Sequence, residues 1–144
     1  LQYSGRSGQI HSEEWKKCCQ CLSHFLSKMI SSGLSIVETR KIEKLESWGK
    51  YFTESEIEET EGKIQSLAGK LAGKKSFLIA AGINDQTLLR KIEIKKRPSG
   101  KSEIRINDLP LKKSLKGKNI SLSISHIEKF AVAFCLIYDG KKKS

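Results

Sequence analysis

Residues 63–82 read KIQSLAGKLAGKKSFLIAAG, and this stretch decides the fold. Its apolar positions recur at three- and four-residue steps, which predicts an amphipathic helix that ends near Gly82. These positions are Ile64, Leu67, Ala68, Leu71 and Leu78. Gly69 and Gly73 each weaken a helix by ~1 kcal/mol relative to Ala, so we expect them to permit close approach by another backbone. Lys75 lies in the path of the apolar stripe and must reach solvent or face a polar cleft.

The second half of the chain is predicted to be rich in strands. Apolar and polar residues alternate in three segments, which is typical of half-buried strands. The segments are Lys91–Lys95, Glu103–Ile106 and Ile120–Ser125. A turn at Pro98-Ser99-Gly100 separates the first two, Leu111–Leu115 predicts a short helix, and the apolar run Phe130–Tyr138 predicts a central strand. Helices gathered around an antiparallel sheet give an α+β fold.

The first half of the chain is predicted to be mostly helical. Residues 12–31 show helical spacing of apolar side chains, and residues 34–37 form a short strand after Gly33. Residues 39–50 return to helical spacing. Thr53 followed by Glu56 is a capping box, so another helix should begin there.

Length and composition favour one domain with short additions. The chain has 144 residues, of which 38% are hydrophobic and 30% charged. We divide it into an N-terminal extension with an amphipathic helix (1–32), a domain (33–138) and a basic tail (139–144). The longest apolar run is far shorter than the ~20 residues of a membrane-spanning helix, so no membrane partner is expected.

The N-terminal residues suggest a compartment but leave several origins open. The chain begins with Leu1, and residues 1–10 carry Arg6 and no acidic residue. This composition fits the end of an organellar transit segment, a vector-derived segment or a disordered tail. The expected location is the mitochondrial or another organelle matrix, or otherwise the cytoplasm. Secretion is not expected, because no secretory hydrophobic region is present.

Three of the four cysteines crowd together at Cys18, Cys19 and Cys21, and the fourth is Cys135. Adjacent cysteines do not give the spaced framework of a disulfide-stapled secreted domain, so we interpret all four as reduced thiols. The segment 18–24, which ends at His24, could hold a soft metal, but a second ligand pair at zinc-site spacing is missing.

Four motifs in order point to a known family. They are Gly33-Leu34-Ser35-Ile36-Val37, Phe52-Thr53-Glu54-Ser55-Glu56, the run from Leu67 to Phe77, and Ser123-Ile124-Ser125-His126 leading into Phe130–Phe134. In order and spacing they resemble the holo-acyl-carrier-protein synthase family of 4′-phosphopantetheinyl transferases, over residues 33–138. The resemblance implies a transferase-like α+β fold, an antiparallel sheet with packed helices, that usually forms a trimer with sites between subunits.

The resemblance also implies an activity, the transfer of phosphopantetheine from coenzyme A to a serine of acyl carrier protein with the help of magnesium. This sequence departs from the family at three positions. Ser35 stands where the family has a metal-binding aspartate, Lys75 where it has a glutamate, and Ile79 where an assisting lysine is found. A hydroxyl and an amine are poor ligands for a hard cation, so no metal is expected. The Lys75 ammonium could instead neutralise a phosphate directly.

Other positions match the family. Lys41 falls on its basic residue after the first strand, and Lys74 on the lysine before the glutamate position. Ser125 and His126 belong to a motif that lies beside the cofactor. If coenzyme A is bound, these four residues are expected to hold it. His126 has an alternative role as a strand-end residue hydrogen-bonded to backbone.

The charge distribution suggests a polyanionic partner. The net charge is +11, and residues 90–118 hold eleven basic against three acidic residues. Such clusters are typical of phosphate contacts with RNA, and the acidic surface of an acyl carrier protein is a rival target. The residues expected to touch RNA are Lys95, Lys96, Arg97, Lys112, Lys113, Lys116 and Lys118.

The sequence leaves two functional hypotheses. The first is a non-catalytic, transferase-like subunit of an RNA-containing assembly such as a mitochondrial ribosome, with the N-terminal helix packed on a neighbouring protein and no cofactor. The second is an active holo-acyl-carrier-protein synthase that uses coenzyme A and magnesium. The three departures favour the first hypothesis and the overall resemblance favours the second.

Overall fold

The computed structural model describes residues 30–140 of the chain. Within this range the chain forms nine regular elements. They are β1 (Ile30–Glu38), α1 (Thr39–Glu43), α2 (Glu54–Thr60), α3 (Ile64–Ala80), β2 (Ile92–Lys96), β3 (Ser102–Ile106), α4 (Leu109–Ser114), β4 (Lys118–His126) and β5 (Phe130–Asp139). Two 3₁₀ turns, Trp48–Lys50 and Gln86–Lys91, lie between them.

The strands form two antiparallel sheets. A three-stranded sheet has the order β1-β5-β4, and β2 pairs with β3 in a separate hairpin. The apolar run of β5 lies in the centre of the larger sheet, as its sequence predicts. Leu34 is opposite Phe134 across β1 and β5, and Leu122 is opposite Cys135 across β4 and β5. The predicted α+β fold is confirmed, with two sheets in place of one.

Helix α3 packs across the inner face of the larger sheet and forms the core with it. Residues at alternate positions of β5, Ala131, Ala133 and Cys135, are fully buried under the helix. The helix contributes Leu67, Leu78 and other buried residues from the predicted stripe, together with Phe77, which the stripe did not include. Cys135 is a free thiol, and burial raises its pKa to about 12. Cys18, Cys19 and Cys21 lie outside the described residues.

The outer face of the same sheet is apolar but uncovered within residues 30–140. Large side chains on β1 and β5 are 36–61% exposed there. They are Ile30, Leu34, Ile36, Phe130, Val132, Phe134 and Tyr138. The β4 edge of this face is lined by serines, since Ser121, Ser123 and Ser125 occupy the alternate positions.

Strand β1 begins earlier than the sequence predicts. Gly33 does not interrupt it, because pairing with β5 extends without a break from Ile30 to Glu38. The boundary placed at residue 32 therefore falls inside a strand. The rest of the predicted extension and its helix, up to residue 29, lie outside the described residues, as do residues 141–144 of the tail.

The helix predicted over residues 39–50 is shorter in the structure, where α1 ends at Glu43. The indole N–H of Trp48 donates to the carbonyl oxygen of Ile42 at 3.2 Å, and a continuing helix would need that acceptor for residue 46. The capping box is confirmed: Glu56 N donates to Thr53 Oγ1 at 3.2 Å, and Thr53 N donates to Glu56 Oε1 at 3.0 Å.

Candidate functional site

Glycines set how closely α3 approaches the sheet. A Cβ atom on Gly33 would lie 2.0 Å from the carbonyl oxygen of Ser76 and 2.7 Å from the amide of Ala80, so β1 and α3 meet backbone to backbone at this point. Gly69 and Gly73 behave differently from the prediction. Their nearest neighbour is the side chain of Ile124, at 3.1 Å from a Cβ built on either residue. The predicted backbone contact is therefore made by Gly33 on the strand.

A cleft opens beside Gly69, between α3, β4 and the β2-β3 hairpin. Its volume is about 290 Å³. The polar and charged residues of its lining are Glu59, Thr60, Ser66, Lys70, Lys96, Ser102 and His126. The wall is completed by Gly69, Ile94, Gly100 and Ile124. Lys96 and the imidazole of His126 are the groups of this lining that can meet a phosphorylated ligand, because Lys70 is already paired with Glu59.

Lys70 and Glu59 form an ion pair in the lining of the cleft. Lys70 Nζ donates to Glu59 Oε2 at 2.8 Å and to the carbonyl oxygen of Ile94 at 2.6 Å. Burial raises the pKa of Glu59, but the hydrogen bond and charge of Lys70 outweigh it, so the carboxyl pKa is lowered overall. Glu59 is therefore ionised at neutral pH and holds Lys70 against the cleft wall.

The cleft holds His126 but not Ser125. The two residues are adjacent on β4, so their side chains lie on opposite faces of the sheet. His126 is opposite the buried Ala131, on the side that faces α3, while Ser125 is opposite Val132 on the outer face. A ligand in this cleft would contact His126, and the structure does not bring Ser125 to it.

Lys74 lies in the core and not at the predicted cofactor site. Its side chain is fully buried and forms an ion pair with the equally buried Glu56. Lys74 Nζ also donates to the carbonyl oxygens of Tyr51 at 2.8 Å and Leu89 at 3.0 Å. Desolvation lowers the pKa of Lys74, opposed by the charge of Glu56. With no exposed surface, Lys74 joins elements together and is out of reach of a ligand.

Ser35 and Lys75 lie at the contact between β1 and α3. Ser35 is half-buried on the inner face of β1, two residues beyond Gly33, and Lys75 is the neighbour of Ser76, which Gly33 contacts. Burial lowers the pKa of Lys75, and the positive charge of Lys41 on α1 lowers it further. Ile79 follows one turn later and is 54% exposed. Within residues 30–140, no group of three or more His, Cys, Asp and Glu side chains could hold a metal ion.

The basic stretch does not form one patch. Lys95 contacts Ser55 and Glu93, Arg97 pairs with Glu103 at 3.0 Å, and Lys118 pairs with Asp139. Lys96 lines the cleft. Lys112, Lys113 and Lys116, at and after α4, are exposed, and like Lys96 they find no salt-bridge partner within residues 30–140.

Sequence reasoning missed the cleft as a unit. Its lining comes from four separate segments, and Lys70 meets Glu59 across eleven positions that no helical or strand period connects. The glycine at position 69 was the available signal, because a missing side chain in a core helix leaves space for a neighbour.

No helix within residues 30–140 has the length and apolar character needed to cross a membrane.

Comparison with known proteins gives a consistent result. No family model matches the chain. The holo-acyl-carrier-protein synthase of Halothermothrix orenii is 34% identical over 120 residues, which cover 75% of this chain and 96% of that protein.

Two solved structures have the same fold. A holo-acyl-carrier-protein synthase from Bacillus anthracis, in complex with coenzyme A (3′,5′-ADP), superposes with a TM-score of 0.65 at 25% identity and covers 78% of this chain and 99% of that one. The Helicobacter pylori synthase in complex with coenzyme A gives a TM-score of 0.63 at 27% identity, with 74% and 98% covered.

These findings correct the first functional hypothesis. The prediction of a non-catalytic subunit of an RNA-containing, mitochondrial ribosomal assembly was wrong, because relatives that match over nearly their whole length are named as synthases and solved relatives hold coenzyme A. The RNA contacts predicted for the seven basic residues are tested by none of these comparisons and stay a prediction. The order of motifs, the α+β fold and the match along the described domain agree, and the chain belongs to the holo-acyl-carrier-protein synthase family.

Proposed function

We propose that this protein binds coenzyme A and transfers its 4′-phosphopantetheine to a serine of acyl carrier protein. One observation carries the proposal: the chain spans 96% of a curated synthase at 34% identity. In the transfer, the serine oxygen forms a bond to the phosphopantetheine phosphorus. The bond from that phosphorus to the bridging oxygen breaks, 3′,5′-ADP leaves, and the serine proton passes to solvent or to a base.

The cleft beside Gly69 supports coenzyme A binding. It places Lys96 and His126 around one space, where the Lys96 ammonium can pair with a phosphate and the imidazole can donate a hydrogen bond, while Lys70 stays paired with Glu59. The uncovered outer face of the sheet is consistent with the trimeric arrangement that the resemblance implies, since burying such a face between copies removes apolar surface from water.

The exposed lysines at and after α4 are candidates for meeting the acidic carrier protein. Lys112, Lys113 and Lys116 have no salt-bridge partner within residues 30–140, so their charges are free to steer an acidic surface. We expect charge reversal at these three positions to raise the KM for the carrier and leave coenzyme A affinity unchanged.

Magnesium does not fit the residues at the positions that the resemblance assigns to it. Ser35 offers one neutral oxygen and Lys75 offers an ammonium, which repels a divalent cation. We therefore assign no step to a metal ion. The protein's own contribution is to bind the cofactor phosphates, to position the carrier serine and to keep the diphosphate out of bulk water.

The test is to incubate the protein with coenzyme A and apo-acyl carrier protein, with and without magnesium, and to weigh the carrier by mass spectrometry. A gain of one phosphopantetheine per carrier is expected. An unchanged carrier mass, at protein concentrations equal to the carrier and in both conditions, would contradict the proposal.

A matched pair of variants locates the cofactor. Lys96→Ala, in the cleft, should weaken coenzyme A binding in calorimetry. Lys50→Ala removes a lysine that is also exposed but lies on the first 3₁₀ turn, outside the residues that line the cleft, and should bind as the wild type does. Equal affinities of the two variants would place the cofactor elsewhere.

A further inference from the structure

Helix α3 carries three lysines in two successive turns, and they differ in whether a carboxylate pairs with them. Lys70 is paired with Glu59, and Lys74 with Glu56. Lys75 is half-buried, yet among residues 30–140 it has neither a hydrogen-bond nor a salt-bridge partner. A partly buried ammonium without a counterion is costly, so this position would be stabilised by an anion.

A second positive charge acts on the same position. Burial lowers the pKa of Lys75, and the positive charge of Lys41, exposed on α1, lowers it further. No carboxylate among the described residues offsets these two effects. An anion bound beside Lys75 would reverse them, because an opposite charge favours the protonated form of a lysine.

The helix that carries Lys75 is held against β1 by a backbone contact. Gly33 allows the two backbones to touch at Ser76, next to Lys75. Ser35 follows on the same face of β1 and adds a hydroxyl that can donate to an oxygen. Two ammonium groups whose charges act on each other, and a neutral donor on the adjacent strand, are thus available to an anion.

We infer that Lys75 and Lys41 neutralise the diphosphate of coenzyme A directly, so that this protein holds its cofactor without a divalent cation. Two ammonium groups carry the same total charge as one divalent ion, and each also donates hydrogen bonds to phosphate oxygens. The inference rests on the proposed function, since it names the charged partner of that same cofactor. Neither lysine lines the cleft beside Gly69, so the diphosphate would lie outside the cleft and another part of coenzyme A within it.

Calorimetry of coenzyme A binding tests the inference in EDTA and in magnesium. The wild type is expected to bind equally well in both, within about threefold. Lys75→Gln should lose at least about tenfold in affinity in both, as expected when a charge-assisted hydrogen bond is removed. Lys75→Arg keeps the charge and should retain most of the affinity. Lys50→Gln, the same substitution at an exposed lysine outside the site, should have no effect. Circular dichroism confirms that each variant is folded.

Binding of inorganic pyrophosphate in EDTA separates this inference from the proposed function. If coenzyme A fails to bind but pyrophosphate binds and Lys75→Gln abolishes it, the anion site stands and the proposed function fails. The inference is overturned if coenzyme A binds only with magnesium, or if Lys75→Gln binds both ligands as tightly as the wild type. If neither ligand binds, both proposals are rejected.

Discussion

The buried ion pair between Lys74 and Glu56 should hold three parts of the fold together, and a double-mutant cycle measures it. Glu56 accepts from Lys74 Nζ, from the amide of Thr53 at 3.0 Å and from the amide of Ile94 at 3.1 Å, so its carboxylate joins α2, α3 and β2. Lys74→Met leaves this carboxylate charged and buried with only the two amides. We expect a loss of about 3–5 kcal/mol in the free energy of unfolding, the range for one partner removed from a buried pair.

The double variant distinguishes pairing from packing. Glu56→Gln alone leaves the ammonium of Lys74 buried without its counterion and should cost a similar amount. Lys74→Met combined with Glu56→Gln removes both charges, so its cost should fall below the sum of the single costs by about 1–3 kcal/mol. Urea unfolding followed by circular dichroism gives all four free energies.

A control cycle uses an ion pair at the surface. Arg97 and Glu103 form a bidentate contact across the turn of the β2-β3 hairpin, with side chains 56% and 35% exposed. Arg97→Met and Glu103→Gln, alone and combined, should show a much smaller coupling free energy, because solvent screens the two charges. Additive single costs at Lys74 and Glu56, or coupling no larger than at the surface pair, would refute the argument that burial makes this pair strong.

Three further outcomes follow from the packing and charges described above. Gly33→Ala should lower the free energy of unfolding by about 3 kcal/mol or more, because its Cβ would lie 2.0 Å from a backbone carbonyl oxygen of α3. Gly49→Ala, whose Cβ would have its nearest contact at 3.7 Å, should cost less than about 1 kcal/mol in the same urea titration. Equal costs for the two variants would be contrary to this account. Burial raises the pKa of the Cys135 thiol from 9.0 to about 12, so this thiol should resist iodoacetamide until urea unfolds the protein, and the stability it contributes should be lost as pH rises above 9.0 toward 12. Mass spectrometry of the peptide that holds Cys135 measures the labelling. Labelling of the native protein at the rate of a free thiol would disprove this prediction. The lowered pKa of Glu59 contributes stability that is present above its ordinary value of 4.5 and is lost as pH falls through the folded-state pKa. Glu59→Gln should therefore reduce the fall in the free energy of unfolding at acid pH. The same pH dependence in the variant and the wild type would show that the bond to Lys70 contributes nothing.

The sequence by itself determined the elements that depend on local spacing. The stripe over residues 63–82 predicted α3 nearly to its ends, and the pair Thr53 and Glu56 predicted the start of α2. Both signals act within one or two helical turns, so they can be read from neighbouring residues. The order of motifs over residues 33–138 was also sufficient to indicate the family.

Only the tertiary structure decided what those residues do. The sequence offered Lys74 and Lys75 as neighbours of similar chemistry, but successive residues of a helix point about 100° apart, so Lys74 enters the core and Lys75 stays half-buried. Pairing with β5 keeps β1 extended across Gly33, and the alternation of β4 places Ser125 and His126 on opposite faces of the sheet. The local periods of helix and strand separate these side chains, but distant residues decide the rest: the partner of Lys74, the length of β1 and which face of β4 lies under α3.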